Sequence, residues 1–531
     1  MRDKTCLAAD VIVADDRTTH PVLLVRTPYA RAEAASLVDA LGLARLGWAV
    51  VIQNVRGRLD SEGSFLPFLQ EPNDGADTVR WCCEQPWSNG RVAMSGTSYA
   101  GFTQWSCALA RPAGLKAISP QITASDVRDG WFYEGGALRH SFVQSWGLSL
   151  AYTDSANTKE SEQETRRWAA DLEALYNTPP SRSPLDTLLK SYSRWIDPTD
   201  ESYWSEIHDL QNCRPPEIPA YHLTGWYDIF CEASLRDFVT MQNNNVGNTQ
   251  RLVVGPWTHS AFLVQQTGAL DHGLIANGFV HDVMGEMHSW LRRTLNDEPV
   301  EGGARVFVMG SRVWREMPTW PPAAESHRLH LSVPGLHGSQ SEPSLTMRPQ
   351  EIAGQDHFDY EPTNPVRTNG GRTLDPMLPG AGSFDQSLPG DRDVLFYTSE
   401  VLAQDLTVMG MIRAEITFAT TGEAADVALT LLDVYPDGRA FNLVGSTQRA
   451  KFVPHRPQIV EVFLGSIAVT FKRGHRIGLQ VASSNFPHLD LNPSTGQCST
   501  KAVTFVAARQ TIYRGGQSRS FIELPVVSLD L

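Results

Sequence analysis

Arg91-Val92-Ala93-Met94-Ser95-Gly96-Thr97-Ser98-Tyr99-Ala100-Gly101 is the stretch that decides the fold. Its first half is a short apolar run opened by the turn signal Asn89-Gly90, which predicts a strand over 91–95. Its second half sets Gly96 and Ala100 either side of Ser98 and leads into a helix-like segment from 101. A tight strand-to-helix turn needs small residues at those places, because a larger side chain would collide with the neighbouring strand or helix. Such a turn lifts the serine hydroxyl above the sheet, and the helix N-terminus adds partial positive charge beside it. The plain alternative is an ordinary strand–helix turn with a surface serine. Alanine at the second small position weakens the bare pattern, and the predicted strand and helix around it restore the case for a nucleophile.

Working outward, residues 21–26 (PVLLVR) and 48–55 (WAVVIQNV) are apolar, β-branched runs bounded by turn signals and predict buried strands. Alanine and leucine at helical spacing predict a helix over 31–46, and Asp74-Gly75-Ala76-Asp77 opens another over 77–85. Strands alternating with helices predict a parallel α/β sheet. From 126 to 212 helical stretches such as 160–176 appear without clear strands, which predicts a helical insertion. Strand-like runs return at 218–225 and 251–254, with a helix near 231–243 between them and another near 277–295. Beyond about 305 the strand-like runs are 305–309, 394–397, 411–418, 426–433, 458–464, 476–482, 503–507 and 521–528. Many short strands with turn signals predict a β-sandwich or jelly roll, and 333–392, dense in Pro, Gly, Ser and Asn, predicts long loops. The expected organisation is an α/β domain in two parts, 1–125 and 213–325, a helical cap at 126–212, and a β domain at 326–531.

A serine hydroxyl is a poor nucleophile at neutral pH and needs a base, a histidine whose other nitrogen is held by a carboxylate. In α/β enzymes of this kind the chain order is Ser, then Asp or Glu, then His, each just after a strand. Fifteen histidines are available, so position must choose. Asp228 follows the run Tyr221–Tyr227, and His259 follows Arg251–Val254 and the breaker Gly255-Pro256. His222 sits inside a strand-like run and reads as structural; His272, His281 and His288 have no matching turn. The oxyanion formed on attack needs preorganised donors. The N–H of Tyr99 is the default first donor. Tyr29 follows the first strand and reads equally as a second donor through its hydroxyl or as a loop-packing aromatic.

The 531 residues carry 45 basic and 59 acidic side chains, a formal charge of −14. No basic run exceeds two residues, as at Arg292-Arg293, which argues against a nucleic-acid footprint. The N-terminus has no apolar core of signal-peptide length, and no run reaches the roughly 18 apolar residues of a spanning helix. The expectation is a cytoplasmic protein with no membrane partner. Seven cysteines, an odd number without zinc-like spacing, predict reduced, buried thiols. No metal and no organic cofactor is implied.

Taken together, Pro21–Tyr29, Ala49–Gly57, Asp60-Ser61-Glu62-Gly63, Gly96–Gly101, Gly225-Trp226-Tyr227-Asp228 and Gly255-Pro256-Trp257-Thr258-His259 resemble the family of cocaine esterase, α-amino acid ester hydrolase and X-prolyl dipeptidyl peptidase. The order and approximate spacing fit along most of the chain. The resemblance implies an α/β-hydrolase domain, an inserted helical cap and a C-terminal jelly roll. It implies Ser98 as nucleophile, Asp228 and His259 as its partners, and the Tyr29 hydroxyl with the Tyr99 N–H as oxyanion hole. Phe230 and Cys231 stand where the amino acid ester hydrolases carry carboxylates for a substrate ammonium, so the chain looks more like the cocaine-esterase branch. By that analogy Trp131, Trp146 and Phe230 line an acyl pocket; cap-domain core is the other reading of the same aromatics. Family members carry residues before the segment matching Met1-Arg2-Asp3, and Lys4 stands where a glycine is common. Both bear on the pairing of an N-terminal strand, not on the site. The run Ser484–Pro487 with Asn492–Gly496 resembles the end of the jelly roll and reads as structural.

Four functions fit these residues. A hydrolase of a small-molecule ester or amide passes its acyl-enzyme to water. An acyltransferase or cyclising biosynthetic enzyme passes the same acyl-enzyme to an amine or alcohol. An X-prolyl dipeptidyl peptidase needs an anionic site for a free N-terminus. A sugar-binding role for the jelly roll is the non-enzymatic reading, which an intact triad argues against. The sequence leaves a homo-oligomer open.

Overall fold

The computed structural model describes residues 1–152, 159–244, 249–332, 343–375, 381–387, 393–518 and 520–528. Strands β1 (Ala9–Ile12), β2 (His20–Thr27), β3 (Ala49–Asn54), β4 (Ser88–Thr97), β5 (Leu115–Gln121), β6 (Ala220–Tyr227), β7 (Gln250–Thr258), β8 (Gly303–Val308) and β9 (Val313–Met317) make one sheet. Its order is β1-β3-β2-β4-β5-β6-β7-β8-β9. β2 to β8 run parallel, and β1 and β9 close the two edges antiparallel. Every residue of β2, β3, β6 and β7 is buried. That is why these strands read as continuous apolar runs: helices cover both faces of a parallel sheet.

The expected helix over 31–46 is two helices, α1 (Arg31–Leu37) and α2 (Ala40–Arg45). The break is Asp39, which takes a positive φ of 50° and accepts a hydrogen bond from the Gly42 N–H at 3.2 Å as the cap of α2. Helix α3 (Glu71–Cys83) starts ahead of the expected opening at Asp74, with proline in its first turn and Glu71 and Asp74 at its positive end. Lys4, where a glycine was expected, holds a φ of 69°, and β1 still pairs with β3. All seven cysteines are free thiols; Cys82, Cys107 and Cys231 are buried, whereas Cys6 is exposed.

Helix α4 (Tyr99–Leu109) joins β4 to β5, and between β5 and β6 the chain forms α5 (His140–Tyr152), α6 (Lys159–Ala169) and the short helices Leu172–Tyr176, Leu185–Leu188, Tyr192–Trp195 and Glu201–Trp204. The expected helix 160–176 is therefore interrupted, at Asp171, which caps Leu172–Tyr176 by accepting from the Ala174 N–H at 3.0 Å. The insertion also holds a small hairpin, Tyr133–Glu134 with Ala137–Leu138. Its Gly135 packs so close to the C-terminal region that a Cβ would lie 1.8 Å from the Thr447 carbonyl oxygen. Helices α7 (Cys231–Asn243) and α8 (Val283–Leu295) follow β6 and β7.

Among the described residues, the C-terminal region is a β-sandwich of eleven strands between Glu325 and Val527. Strand Leu406–Thr420 pairs along its length with Gln458–Phe471 on one side. On its other side, Phe521–Val527 covers its first part and Ala508–Arg514 its last, so the sheet folds over a shared core. The expected strand 503–507 is irregular; Val503 is 77% exposed, and the strand begins at Ala508. The expected loops of 333–392 contain strands Ser344–Thr346 and Gly354–Tyr360, while 333–342, 376–380 and 388–392 lie outside the described residues. Ala440–Lys451 is a further strand, one the sequence pattern did not predict. The run Ser484–Pro487 ties the cap to this region: the Ser141 N–H donates to the Pro487 carbonyl at 2.9 Å. Among the described residues, no helix is long and apolar enough to cross a membrane.

Candidate active site

Ser98 lies between β4 and α4 with φ 56° and ψ −123°, a conformation only glycine adopts without strain. Its neighbours explain the sequence pattern. A Cβ on Gly96 would meet the Ala100 Cβ at 2.7 Å, so these two positions must both be small. A Cβ on Gly101 would meet the Thr123 methyl at 2.4 Å. Gly96 and Gly101, not Ala100, are thus the positions that cannot carry a side chain. The turn is pinned from below: the Ser98 N–H donates to the Gln121 carbonyl at 2.9 Å, and Thr123 Oγ1 donates to the Ser98 carbonyl at 2.7 Å. Tyr99, first residue of α4, presents an N–H with no acceptor within the helix.

Asp228 and His259 leave the C-terminal ends of β6 and β7, two and three strands along from β4. Gly225 lets these ends approach, since a Cβ there would lie 2.3 Å from the Trp257 carbonyl oxygen. Asp228 is fully buried. Its Oδ1 accepts from the Phe230 N–H at 2.7 Å, and its Oδ2 pairs with His259 Nδ1 at 2.6 Å. That bond fixes the imidazole tautomer, leaving Nε2 to take a proton. Phe230 sets its ring edge on His259, with centroids 5.4 Å apart. His222 is a core residue: burial pushes its pKa down to about 4, and Nε2 meets Gln250 Oε1 at 3.2 Å.

Tyr29 follows β2 and is half-buried. Its N–H donates to Thr27 Oγ1 at 3.1 Å, and its carbonyl accepts from Asn54 Nδ2 at 2.7 Å. Its hydroxyl accepts from Trp146 Nε1 at 3.0 Å; burial pushes the phenol's pKa up, and the bond from Trp146 and the nearby Ser98 side chain pull against it. The predicted aromatics form one cluster. Trp131 and Phe230 are fully buried with centroids 4.4 Å apart, and Trp146 lies 5.6 Å from Trp131 and 6.2 Å from Tyr99. A continuous wall of rings therefore runs from Tyr99 to His259, and it is also the core of the cap.

Two supports escaped the sequence reading. The Tyr99 hydroxyl donates to Glu71 Oε1 at 3.1 Å, and Arg26 Nη1 donates to Glu71 Oε2 at 2.7 Å, all three side chains buried. Burial pushes the Glu71 carboxyl up, and the Arg26 cation pulls against it. An arginine closing the apolar run PVLLVR was the signal, since a buried cation demands a partner. The second is Arg58, also fully buried, which donates to the carbonyls of Pro28 at 3.1 Å and Leu150 at 2.9 Å. Among the described residues, no cluster of His, Cys, Asp and Glu is arranged to hold a metal ion.

A strained serine between strand and helix of a parallel sheet, with a carboxylate-held imidazole at neighbouring strand ends, defines an α/β serine hydrolase. The model of the X-Pro dipeptidyl-peptidase (S15 family) matches residues 3–261, and that of its C-terminal non-catalytic domain matches residues 299–523. The chain is 32% identical to the cocaine esterase of Rhodococcus sp. over 99% of its own length and 97% of that enzyme's, and it belongs to this family of serine esterases and peptidases. Its fold is shared by an α-amino acid ester hydrolase, with a TM-score of 0.80 at 24% identity over 99% of this chain and 95% of that one. An aminopeptidase from a marine-sediment Thaumarchaeota archaeon shares it too, with a TM-score of 0.82 at 23% identity and the same coverage.

Proposed function

We propose that the protein is an esterase for small esters with an apolar or aromatic acyl group, working through an acyl-enzyme on Ser98. His259 Nε2 removes the Ser98 proton as Oγ attacks the ester carbonyl, and Asp228 stabilises the imidazolium that forms. The carbonyl oxygen, now anionic, is held by the Tyr29 hydroxyl and the Tyr99 N–H. His259 returns the proton to the leaving alcohol, then deprotonates the water that releases the acid. The observation that carries this reading is the 2.6 Å bond between Asp228 Oδ2 and His259 Nδ1 at the ends of β6 and β7.

The acyl preference rests on the wall formed by Trp131, Trp146 and Phe230 beside His259. Recognition of a free ammonium, as a peptidase or amino acid esterase requires, needs an unpaired carboxylate at this wall. Phe230 and Cys231 occupy the second and third positions after Asp228, and the next acid, Glu232, turns away to accept from the Ser466 N–H at 2.7 Å and to pair with Arg372 at 3.4 Å. The 32%-identical relative is named for an ester substrate, which agrees. The test is turnover of p-nitrophenyl benzoate, of p-nitrophenyl esters of α-amino acids, and of an Ala-Pro anilide by the parent and by Ser98→Ala. The expected result is a preference for the benzoate, inertness towards the anilide, and loss of all turnover in the variant. Undiminished turnover by Ser98→Ala would overturn the mechanism, and ready cleavage of the anilide would overturn the substrate class.

A further inference from the structure

Trp146 makes a contact that an acyl-pocket wall does not require. Its indole Nε1–H donates to the Tyr29 hydroxyl oxygen at 3.0 Å, across the boundary between cap and sheet. The indole has little freedom to do otherwise. It is stacked on Phe142, with centroids 5.7 Å apart and planes 9° from parallel, and lies 5.4 Å from Trp195 at 24°.

An indole N–H can only donate, whereas a phenol oxygen carries one proton and accepts as well. With the indole hydrogen seated on the Tyr29 oxygen, the phenol proton cannot point to that side. Ser98 is a polar group near the phenol, with the charges of Arg58 and Glu33 acting on it as well. When Ser98 gives its own proton to His259, its oxygen becomes an acceptor, and after attack the anionic oxygen of the intermediate can only accept. Both states call for a Tyr29 proton directed at the nucleophile side. A donor already turned that way needs no reorientation as charge develops, which is what makes preorganised donors effective.

We propose that Trp146 is a positioning residue: its indole N–H, held rigid by the cap, fixes the direction in which Tyr29 donates its proton, so the cap completes the oxyanion site as well as covering it. This rests on the reading of Tyr29 as an oxyanion donor. A second contact serves the same geometry. Arg58 joins the Pro28 carbonyl, next to Tyr29, to the Leu150 carbonyl, one turn beyond Trp146 on α5. The loop and the helix are thereby fastened to each other at two points, one through the backbone and one through the hydroxyl. Asn54 completes the hold by donating to the Tyr29 carbonyl at 2.7 Å.

A double-mutant cycle tests the proposal, with p-nitrophenyl acetate as substrate because its single methyl makes small demands on the ring wall. Kinetics are measured for the parent, Trp146→Phe, Tyr29→Phe and the double variant. Tyr29→Phe lowers kcat by roughly 100-fold, the scale for one oxyanion donor. Trp146→Phe lowers kcat by about 5- to 10-fold at nearly constant KM, the worth of one orienting hydrogen bond. The double variant falls no lower than Tyr29→Phe, because without the hydroxyl there is nothing to orient. A benzothiophene analogue of tryptophan at position 146, which keeps the ring volume and lacks only the N–H, reproduces the Trp146→Phe loss. Multiplied losses in the double variant, or full kcat with the benzothiophene ring, would overturn the positioning role. An unchanged kcat in Tyr29→Phe would instead overturn the oxyanion reading itself, and the proposal with it.

Discussion

Ser98 holds a backbone conformation that a residue with a Cβ adopts only under strain, and replacing it by glycine should stabilise the protein while destroying its activity. At φ 56° and ψ −123° the Cβ of Ser98 crowds the adjoining peptide groups. Such conformations cost about 1–3 kcal/mol for a non-glycine residue. Ser98→Gly removes that cost but frees the unfolded chain, which returns about 0.5–1 kcal/mol. The net gain is about 1 kcal/mol. An unfolding entropy of about 2 cal/mol/K per residue makes that roughly a 1–2 °C rise in melting temperature for a unit of 300 to 500 residues. Ser98→Ala is the essential control, because it removes the hydroxyl and keeps the Cβ. The Ser98 N–H and carbonyl bonds to Gln121 and Thr123 are made by the backbone and survive in both variants. Differential scanning calorimetry of the three proteins should place Ser98→Gly above Ser98→Ala, with both inactive towards p-nitrophenyl acetate. Equal melting temperatures for the two variants would refute the idea that strain is stored at the nucleophile.

Gly101→Ala places a methyl within 2.4 Å of the Thr123 methyl and within 3.0 Å of its Oγ1, the atom that bonds the Ser98 carbonyl; urea unfolding should show a loss of about 1–3 kcal/mol, and kcat should fall with it. Asp228→Asn leaves the packing in place but presents His259 in the wrong tautomer, so kcat should drop by about four orders of magnitude with little change in circular dichroism. Asp237 tests the electrostatics away from the site. Burial pushes its carboxyl up to about 7, against hydrogen bonds it accepts from the Ser125 N–H at 2.8 Å and the Ser125 hydroxyl at 2.7 Å. The unfolded carboxyl titrates near 3.9. Between these values the folded state keeps a proton that the unfolded state has released, so this group's contribution to stability is fully present below about pH 4 and is lost as pH rises towards 7, by roughly 4 kcal/mol in all. Urea unfolding of the parent and of Asp237→Asn at pH 5, 6, 7 and 8 should show the parent losing stability relative to the variant up to about pH 7 and not beyond; parallel curves would contradict the assignment.

The sheet was legible because its inner strands are buried on both faces and so carry unbroken apolar runs such as Val22–Val25 and Val50–Ile52. The candidate site was legible for a related reason: parallel sheets set their functional loops at strand C-termini, so Asp228 and His259 could be picked from position alone. Less of the C-terminal sandwich could be read. Ala440–Lys451 mixes Asn, Ser, Thr, Gln and Arg among its apolar residues, and its strand character comes from pairing with Ala424–Val434, distant information for a local pattern. The break of 31–46 at Asp39 depended on a side chain choosing to cap, not on periodicity. The pairing of Arg26 with Glu71, and of both with Tyr99, joins residues far apart in the chain. Only the unpaired charge at the end of an apolar strand announced that a partner must exist.

In the proposed mechanism Ser98 is the nucleophile and His259 activates it. Peptide-level mass spectrometry after treatment with a fluorophosphonate tests it most directly, with the parent and His259→Ala treated side by side. The expected result is one phosphonyl adduct in the parent, on Ser98, and labelling slowed by orders of magnitude in His259→Ala. An adduct on another residue of the parent, or equal labelling of Ser98 in both proteins, would contradict it.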